Sequence, residues 1–452
     1  MGIEAVGELV RFAVRTRLVD IPDDITEFVK GLILKTVAGM LAGSSMPAGR
    51  KVAEFVREVG GLPEVGVIGC GLRVPLWQAV FADAFLAHAS ELEDDRFRSG
   101  TSWDITVVPV ILPLAEKLKL SGEDIVEASA VGLEVLSRTS QFFPQGHMGL
   151  TVVPGSVGPA ATAARALRLD EGQTRSAFGL AMSGVPVSYL NFGTDAHYFE
   201  TALQSLNGLV AAELSKHGMS SNPDIVAYLA RLLGEDRVDA KKIVDGLGVQ
   251  WQLRDIWVKK YPCCFYTHRY IDALLGVMKE EDIPSGQIES VTVHVAEGAA
   301  EICNRPEPQS LGDLQFSFHH ALAAAMLDKD VNFSHFTEDK IPEPRFKEAR
   351  SKVKVVIHPE WASTFAMDTP AHIVVRLSGG RELLREKRYP LGSREEPLTK
   401  VEFRRLFHKF VSGILEPQQA EYAADALSNL EQLTKEEVEN FIKTITVVDT
   451  FV

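Results

Sequence analysis

The feature that most constrains the fold of this chain is a change in the spacing of its apolar residues near Pro262. From the start to about Gly248, apolar residues recur every three or four positions, which is typical of amphipathic helices. One clear example begins at Asp23-Asp24 and is followed by Gly43, a helix start and stop signal. No clear strand pattern interrupts this part. The sequence predicts further helices near residues 105–118, 121–136, 156–167, 171–183, 200–217 and 223–233.

Beyond Pro262 the pattern indicates a β-sheet. Residues 291–295 and 353–357 alternate Val or Ile with polar residues, as half-buried strands do. Two further strand patterns flank Ser378-Gly379-Gly380, which predicts a hairpin. Helical spacing returns after Thr399. We therefore predict a mainly α fold, with a large discontinuous helical domain at 1–264 and 394–452 and a smaller α+β lid domain at 265–393.

Charge and composition exclude several classes of partner. The 452 residues carry a formal net charge of -14, which argues against nucleic acid and anionic membrane as partners. The most apolar stretch, Gly31 to Gly43, contains Lys35 and is too short to cross a bilayer. The four cysteines lack metal-ligand spacing, and no signal peptide is visible. These features predict a cytoplasmic protein.

An acidic cluster follows a run of small and apolar residues at 77–87. The chain there reads His-Ala-Ser-Glu-Leu-Glu-Asp-Asp from His88, so that four carboxyl groups, Glu91, Glu93, Asp94 and Asp95, lie within five positions. Like charges this close raise one another's pKa, and they lie at the unfavourable end of the helix dipole. The cluster predicts an acid, a base or a ligand. The alternative is a solvated helix end followed by a polar loop.

A metal site is the first alternative use of this segment. His88, Glu91 and either Asp94 or Asp95 have suitable side chains at spacings that can share one helix face. No second histidine lies at helical spacing, however, and most protein metal sites with this chemistry use more than one. The sequence therefore predicts no metal.

Four other segments carry chemically useful side chains near predicted loops and the domain boundary. A loop histidine alone is more often structural than catalytic, and the adjacent Cys263 and Cys264 read as packed thiols rather than a redox pair. The segments are the loop at 146–149 with His147, the glycine-marked loop at 191–197, the boundary segment 259–268, and residues 316–320.

In combination and in chain order, these segments resemble the MmgE/PrpD family. The segment from His88 to Asp95 is similar to the family's His-x-x-Asp-x-Asp-Asp-Thr motif, and residues 192–197 are similar to its Gly-Thr-x-x-Lys motif. Lys259-x-Tyr-Pro-Cys-Cys, followed by His268 and Asp272, is the closest match. The resemblance covers nearly the whole chain.

The resemblance implies a large helical domain, a smaller lid, an active site in the cleft between them, and a homodimer. The family groups dehydratases, decarboxylases and epimerases that act on small di- and tricarboxylates without an organic cofactor. Their shared chemistry is removal of a proton, or of a carboxylate, next to an acidic carbon.

Carried over by position, the resemblance implies a set of site residues. The catalytic candidates are Glu91, Asp95, His147, His197 and Lys259. The substrate-binding candidates are Thr101, Lys260, His268, Arg269 and His320.

Several of these positions depart from the family pattern. Asp95 stands where the family has threonine, His197 where it has lysine, and His320 where the lid has tyrosine. His147 comes into register with a two-residue shift, and the stretch containing Thr101 replaces a family histidine. The change from lysine to histidine at position 197 keeps a side chain that can act as an acid or a base.

The sequence thus predicts a cofactor-independent lyase, dehydratase- or decarboxylase-like, that acts on a small carboxylic acid. An epimerase of a small dicarboxylate is one alternative. A family member that has lost catalysis and serves as a binding subunit is another.

Overall fold

The computed structural model describes residues 2–96, 103–142, 155–184, 191–361 and 369–446. The described chain is mainly helical with a small mixed sheet, which confirms the predicted fold class. It divides into two compact units. One, here the helical unit, comprises residues 1–189, 195–256 and 399–452; the other, here the sheet unit, comprises residues 190–194 and 257–398.

The helical unit is built from three stretches of the chain. Its helices are α1 (Gly2–Arg15), α2 (Asp23–Ser45), α3 (Pro47–Val59), α4 (Leu76–Ala89), α5 (Asp104–Leu118), α6 (Gly122–Ser140), α7 (Val157–Ala166), α8 (Glu171–Ala181), α9 (Asp195–Lys216), α10 (Ile225–Leu233) and α11 (Ala240–Val244), with the hairpin strands β1 (Val65–Val67) and β2 (Leu72–Val74). After the sheet unit the chain returns with three more helices, whose bounds are given below.

The sheet unit begins at residue 257 in its main stretch. Its elements are α12 (His268–Glu280), β3 (Ile288–Ala296), α13 (Glu297–Cys303), α14 (Leu311–Gln315), α15 (Phe318–Asp328), α16 (Pro344–Ser351), β4 (Val353–His358), β5 (Ala371–Leu377) and β6 (Glu382–Lys387). The three helices that follow are α17 (Lys400–Val411), α18 (Pro417–Ser428) and α19 (Lys435–Thr446).

Small residues let the helices of the helical unit approach closely. A Cβ added at Gly132 of α6 would lie 1.9 Å from Thr162 Oγ1 of α7, so only glycine fits at this contact. The packing of α6 on α7 thus depends on the Ala- and Gly-rich sequence noted above. The adjoining apolar core joins seven of the described helices through residues that include Val6, Val131, Ala160, Phe178, Ala211, Ile225 and Ile243.

The four-stranded sheet has the order β4-β3-β5-β6. Strand β3 pairs parallel with β4 and antiparallel with β5, and β5 pairs antiparallel with β6. The alternating Val291, Val293 and Val295 are all fully buried, as their period predicted. The turn between β5 and β6 contains Gly379 and Gly380 at φ 99° and 85°, which confirms the predicted glycine hairpin.

The C-terminal helices belong to the helical unit. Phe403 of α17 lies against α2, where its ring is 6.4 Å from that of Phe28. A Cβ at Gly31 would come within 2.7 Å of the Phe403 ring. Because Gly31 has no side chain, the Phe403 ring can pack directly against α2 at this position.

The hairpin of β1 and β2 was not predicted, because each strand has three residues and no period can be read from three. It pairs antiparallel, with Val65 opposite Val74. Among the described helices, none combines the length and the apolar character that crossing a membrane requires.

Asp83 is a fully buried carboxyl group in the middle of the apolar helix α4. The Ile68 N–H donates to its Oδ1 at 2.9 Å. Burial raises the pKa of Asp83 well above its ordinary value, against the opposing effect of this hydrogen bond, and the negative charge of Glu116 raises it further. The folded state therefore holds the Asp83 proton more tightly than the unfolded chain does.

The raised pKa of Asp83 predicts that the Asp83→Asn substitution stabilises the protein by an amount that depends on pH. The bound proton contributes its full stabilisation below the pKa of the unfolded chain, about 3.9. As pH rises from there toward the raised pKa of the folded state, the free energy of unfolding falls by about 1.4 kcal/mol per pH unit. The asparagine variant keeps an acceptor for Ile68 and has no proton to lose. We expect its urea midpoint to exceed that of the wild type at pH 8 and to converge with it near pH 4. A gain of equal size at both pH values would contradict the assignment.

Candidate active site

The site begins where α4 ends. Glu91 has a φ of 53°, in the left-handed region that L-residues rarely adopt, and its N–H donates to the carbonyl of His88 at 2.9 Å. This turn reverses the chain directly after the helix, so that the acidic segment folds back into the protein. Each of its four acidic residues is at most 4% exposed. The alternative of a solvated helix end is therefore wrong.

One carboxylate of this segment belongs to a buried ion pair. Asp94 Oδ1 lies 2.5 Å from Lys35 Nζ of α2, and Asp104 Oδ2 of α5 lies 3.6 Å from the same ammonium group. Lys35 also donates to the carbonyl of Leu92, and Asp104 Oδ1 accepts from the Asp94 N–H at 2.7 Å. These contacts tie α2, α5 and the segment after α4 together, which gives Asp94 a structural role.

Two other carboxylates of the segment meet two imidazoles. One donor atom from each of four side chains lies within 4.8 Å of all the others, and all four side chains are buried. We call this group the His/Glu cluster; its members are His88, Glu91, Glu93 and His197.

The two histidines come from different helices. His88 lies in the last turn of α4 and His197 in the first turn of α9, with their ring centroids 4.2 Å apart. Nε2 of His88 is 4.0 Å from Glu93 Oε1, while its Nδ1 lies 2.7 Å from Thr201 Oγ1. Thr201 thereby fixes the orientation of the His88 ring and directs Nε2 toward Glu93.

His197 lies on a helix, which corrects the sequence interpretation. The segment 191–197 was predicted to be a loop leading into a helix at 200–217, but α9 already begins at Asp195. Helical spacing consequently places His197 and Thr201 on one face, four positions apart. His197 Nδ1 also lies 3.8 Å from Glu200 Oε2.

Of the three remaining candidates in the helical unit, the structure describes only Asp95. Asp95 directly follows the ion-paired Asp94 and is 3% exposed. Thr101 and His147 lie outside the described residues. Their assignment to the site stays a prediction, as does the catalytic role of Asp95.

In the sheet unit, Lys259 is 1% exposed and precedes a set of paired polar groups. Lys260 Nζ lies 3.2 Å from Asp272 Oδ1, which also accepts from the Tyr261 hydroxyl at 2.7 Å. The second Asp272 oxygen accepts from the Leu391 N–H. These contacts hold the segment to α12 through the Lys260 ammonium group. The binding of a substrate carboxylate by Lys259 stays a prediction.

His268 and Arg269 open α12 and are both buried. Burial lowers the pKa of His268 well below its ordinary value, and the charge of Lys259 lowers it further. His268 is therefore a neutral imidazole near neutral pH, stacked on Phe265 at 4.5 Å between ring centroids. Arg269 donates to the carbonyl of Thr369 at 2.7 Å, a contact that holds the backbone. Their roles in substrate binding stay predictions.

His320 of α15 lies among aromatic side chains. Its Nε2 is 2.7 Å from the His335 carbonyl oxygen, and its ring packs 5.0 Å from that of Phe346. Burial lowers the pKa of His320 to about 3, so that this ring is neutral too. These contacts are those of a structural histidine, and a substrate-binding role for His320 stays a prediction.

The four cysteines all lie among the described residues, are buried and form no disulfide. Burial raises the pKa of the Cys303 thiol well above its ordinary value, and its hydrogen bond with Cys264 raises it further. Such thiols are poor nucleophiles. The adjacent pair is therefore packed rather than joined, as the sequence indicated.

The positive φ of Glu91 predicts a difference between two substitutions that both remove its carboxylate. A left-handed conformation costs a residue with a Cβ roughly 1–2 kcal/mol, which glycine does not incur. We expect Glu91→Gly to unfold at higher urea concentration than Glu91→Ala, by about 1 kcal/mol in free energy, while both lose activity. Equal stability of the two variants would show that this backbone conformation is unstrained.

Comparison with known proteins places this architecture in a family. The MmgE/PrpD N-terminal domain matches residues 7–231, and the MmgE/PrpD C-terminal domain matches residues 261–432. The chain belongs to the MmgE/PrpD family.

Its relatives include cis-aconitate decarboxylases. The Homo sapiens enzyme is 26% identical over 380 residues, which cover 80% of this chain and 78% of the relative. The Mus musculus enzyme is 25% identical over 438 residues (91% and 87%), and an Aspergillus terreus enzyme is 21% identical over 463 residues (95% and 93%). These relatives support a lyase of the dehydratase or decarboxylase type in general.

Proposed function

We propose that this protein is a cofactor-independent lyase that removes water or carbon dioxide from a small carboxylic acid. The observation that carries the proposal is the His/Glu cluster, which concentrates four acid–base side chains at buried positions in a chain whose family contains such lyases. Concentrated, buried acid–base groups are typical of sites for proton transfer.

In the dehydration, a basic group of the His/Glu cluster removes the proton next to a substrate carboxylate. The electron pair left on carbon forms the double bond, and the C–O bond breaks. The leaving hydroxyl takes a proton from a second acid of the site and departs as water. In the decarboxylation, the C–C bond to the carboxylate breaks, the electron pair stays on carbon, and that carbon is protonated as carbon dioxide leaves.

Each candidate has a role in this scheme. Glu91 and His197 are the candidate bases, and either can also return a proton. Lys259 holds a substrate carboxylate as a compact positive charge. His147 and Asp95 remain further candidates for proton transfer. The protein is proposed to act as a homodimer in the cytoplasm.

The test is a panel of small acids incubated with the purified protein. The panel contains cis-aconitate, hydroxy di- and tricarboxylates, and amino dicarboxylates. Proton NMR of the products identifies loss of water or carbon dioxide, and the new double bond of a dehydration product absorbs in the ultraviolet. Conversion of one acid by the wild type, but not by Glu91→Gln, supports the proposal. Binding of an acid with no conversion would favour a catalytically inactive binding subunit instead.

A further inference from the structure

We propose that the His/Glu cluster binds one divalent first-row transition metal cation, such as Zn²⁺. The donor atoms of the cluster are of the types that such a cation prefers. Two imidazoles and two carboxylates form a ligand set that suits these cations, whereas Mg²⁺ and Ca²⁺ prefer oxygen ligands alone. The four residues are between 0% and 4% exposed, so that a bound ion would be shielded from water.

The distances between the donor atoms are also close to those of a metal site. With metal–ligand bonds of about 2.1 Å, the donor atoms of a tetrahedral site are roughly 3.4 Å apart. In the His/Glu cluster the donor atoms lie within 4.8 Å of one another, and His88 Nε2 is 4.0 Å from Glu93 Oε1. Side-chain rotations that move each donor by about 1 Å would bring all four into bonding range.

His88 also makes the hydrogen-bond contact that is typical of a metal-binding histidine. Metal-binding histidines generally use their second ring nitrogen for a hydrogen bond that fixes the ring. Nδ1 of His88 lies 2.7 Å from Thr201 Oγ1, while Nε2 faces Glu93. When Nδ1–H donates to Thr201, Nε2 carries the lone pair that a cation needs.

The position of the second histidine explains why this chain could differ from its relatives. His197 stands where the resembled family motif has lysine, which is a cation itself and a poor ligand for a metal at neutral pH. The exchange replaces a fixed positive charge with a metal ligand beside the same carboxylates. A bound cation would then supply the positive charge, and while it is bound Glu91 and His197 would serve as its ligands and not as bases.

Binding is tested with Co²⁺, whose visible absorption reports coordination by nitrogen and oxygen. Protein stripped with EDTA is titrated with Co²⁺ by calorimetry and absorbance. We expect one equivalent to bind. His197→Lys, which restores the family residue, is expected to bind Co²⁺ at least about 100-fold more weakly, and Thr201→Val about 10- to 100-fold more weakly. Circular dichroism establishes that both variants are folded.

A surface group of histidines provides the matched control. His294 Nδ1 lies 2.8 Å from His358 Nε2, and His372 is paired with His294 in the sheet, so that these partly exposed rings could also bind Co²⁺. His372→Gln is expected to leave the one-equivalent binding unchanged. Loss of that binding in His372→Gln, or its persistence in His197→Lys, would overturn the proposal, as would no binding by the wild type.

This inference concerns the same site as the proposed function, but its readout is independent of activity. If the wild type binds no Co²⁺ and converts an acid equally well after EDTA treatment, the metal site is wrong and the lyase stands. If one equivalent of Co²⁺ binds through His197 and no acid of the panel is converted, the metal site stands and the lyase is wrong.

Discussion

His197→Ala and Lys259→Ala are each expected to reduce turnover of the true substrate by about 10²–10⁴-fold, with the protein still folded. His197 belongs to the His/Glu cluster, and its loss removes either an acid–base group or a ligand from it. Lys259 is proposed to hold a substrate carboxylate, so that its variant should also show a raised KM. The measurement is steady-state kinetics on the acid that the panel identifies.

Two variants with similar chemical changes serve as controls for these effects. His372→Ala removes a partly exposed imidazole, and Lys352→Ala removes an ammonium group that pairs with Glu348 on the surface. Both controls should retain the activity of the wild type within a small factor. Full activity of both His197→Ala and Lys259→Ala would contradict the assignment of the site.

Lys35→Met is expected to lower the free energy of unfolding by about 3–5 kcal/mol. Removing one partner of a buried ion pair leaves an uncompensated buried charge, which is far costlier than the loss of a surface pair. Here the substitution would leave both Asp94 and Asp104 without the ammonium group that lies between them, and all three side chains are fully buried. Urea unfolding followed by circular dichroism measures the loss.

The matched control for this prediction is Lys51→Met. Lys51 Nζ lies 3.2 Å from Asp195 Oδ2, but the two side chains are 71% and 59% exposed. Exposed pairs contribute at most about 1 kcal/mol, so that this variant should unfold close to the wild type. If Lys35→Met cost no more than Lys51→Met, the ion pair at Asp94 would not be holding α2, α5 and the acidic segment together.

Long periodic patterns in the sequence were sufficient to predict most of the fold. The apolar period of α2 and the alternation in β3 each reflect a single dominant force, the burial of one face, and each runs over enough positions to be recognised. The hairpin of β1 and β2 lacks that length. The start of α9 was placed too late because Gly193 and Thr194 resemble a loop, although the helix begins directly after them.

The site could be predicted only in part, because its residues meet through tertiary packing. The motif after His88 identified the acidic segment, but four adjacent carboxylates look alike in sequence. Asp94 pairs with Lys35, whereas Glu91 and Glu93 turn toward His88 and His197. The lysine within the most apolar stretch of α2 was the available signal, since a buried ammonium group requires a buried partner.

The prediction of no metal considered only ligands on one helix. It looked for a second histidine at helical spacing from His88, whereas the histidine beside His88 comes from another helix. The spacing of residues along one helix identifies only the ligands that this helix can supply. A ligand set assembled from two helices is visible only once their packing is known.

The incorporation of deuterium from solvent into substrate and product most directly tests the central claim that this protein is a lyase. The wild type and Glu91→Gln are incubated in D₂O with the acid that the panel identifies, and both compounds are followed by proton NMR. A lyase predicts net loss of water or carbon dioxide by the wild type, and neither reaction nor exchange in Glu91→Gln. Deuterium entering the carbon next to the carboxylate, with no net loss of either group, would contradict the lyase and indicate an epimerase.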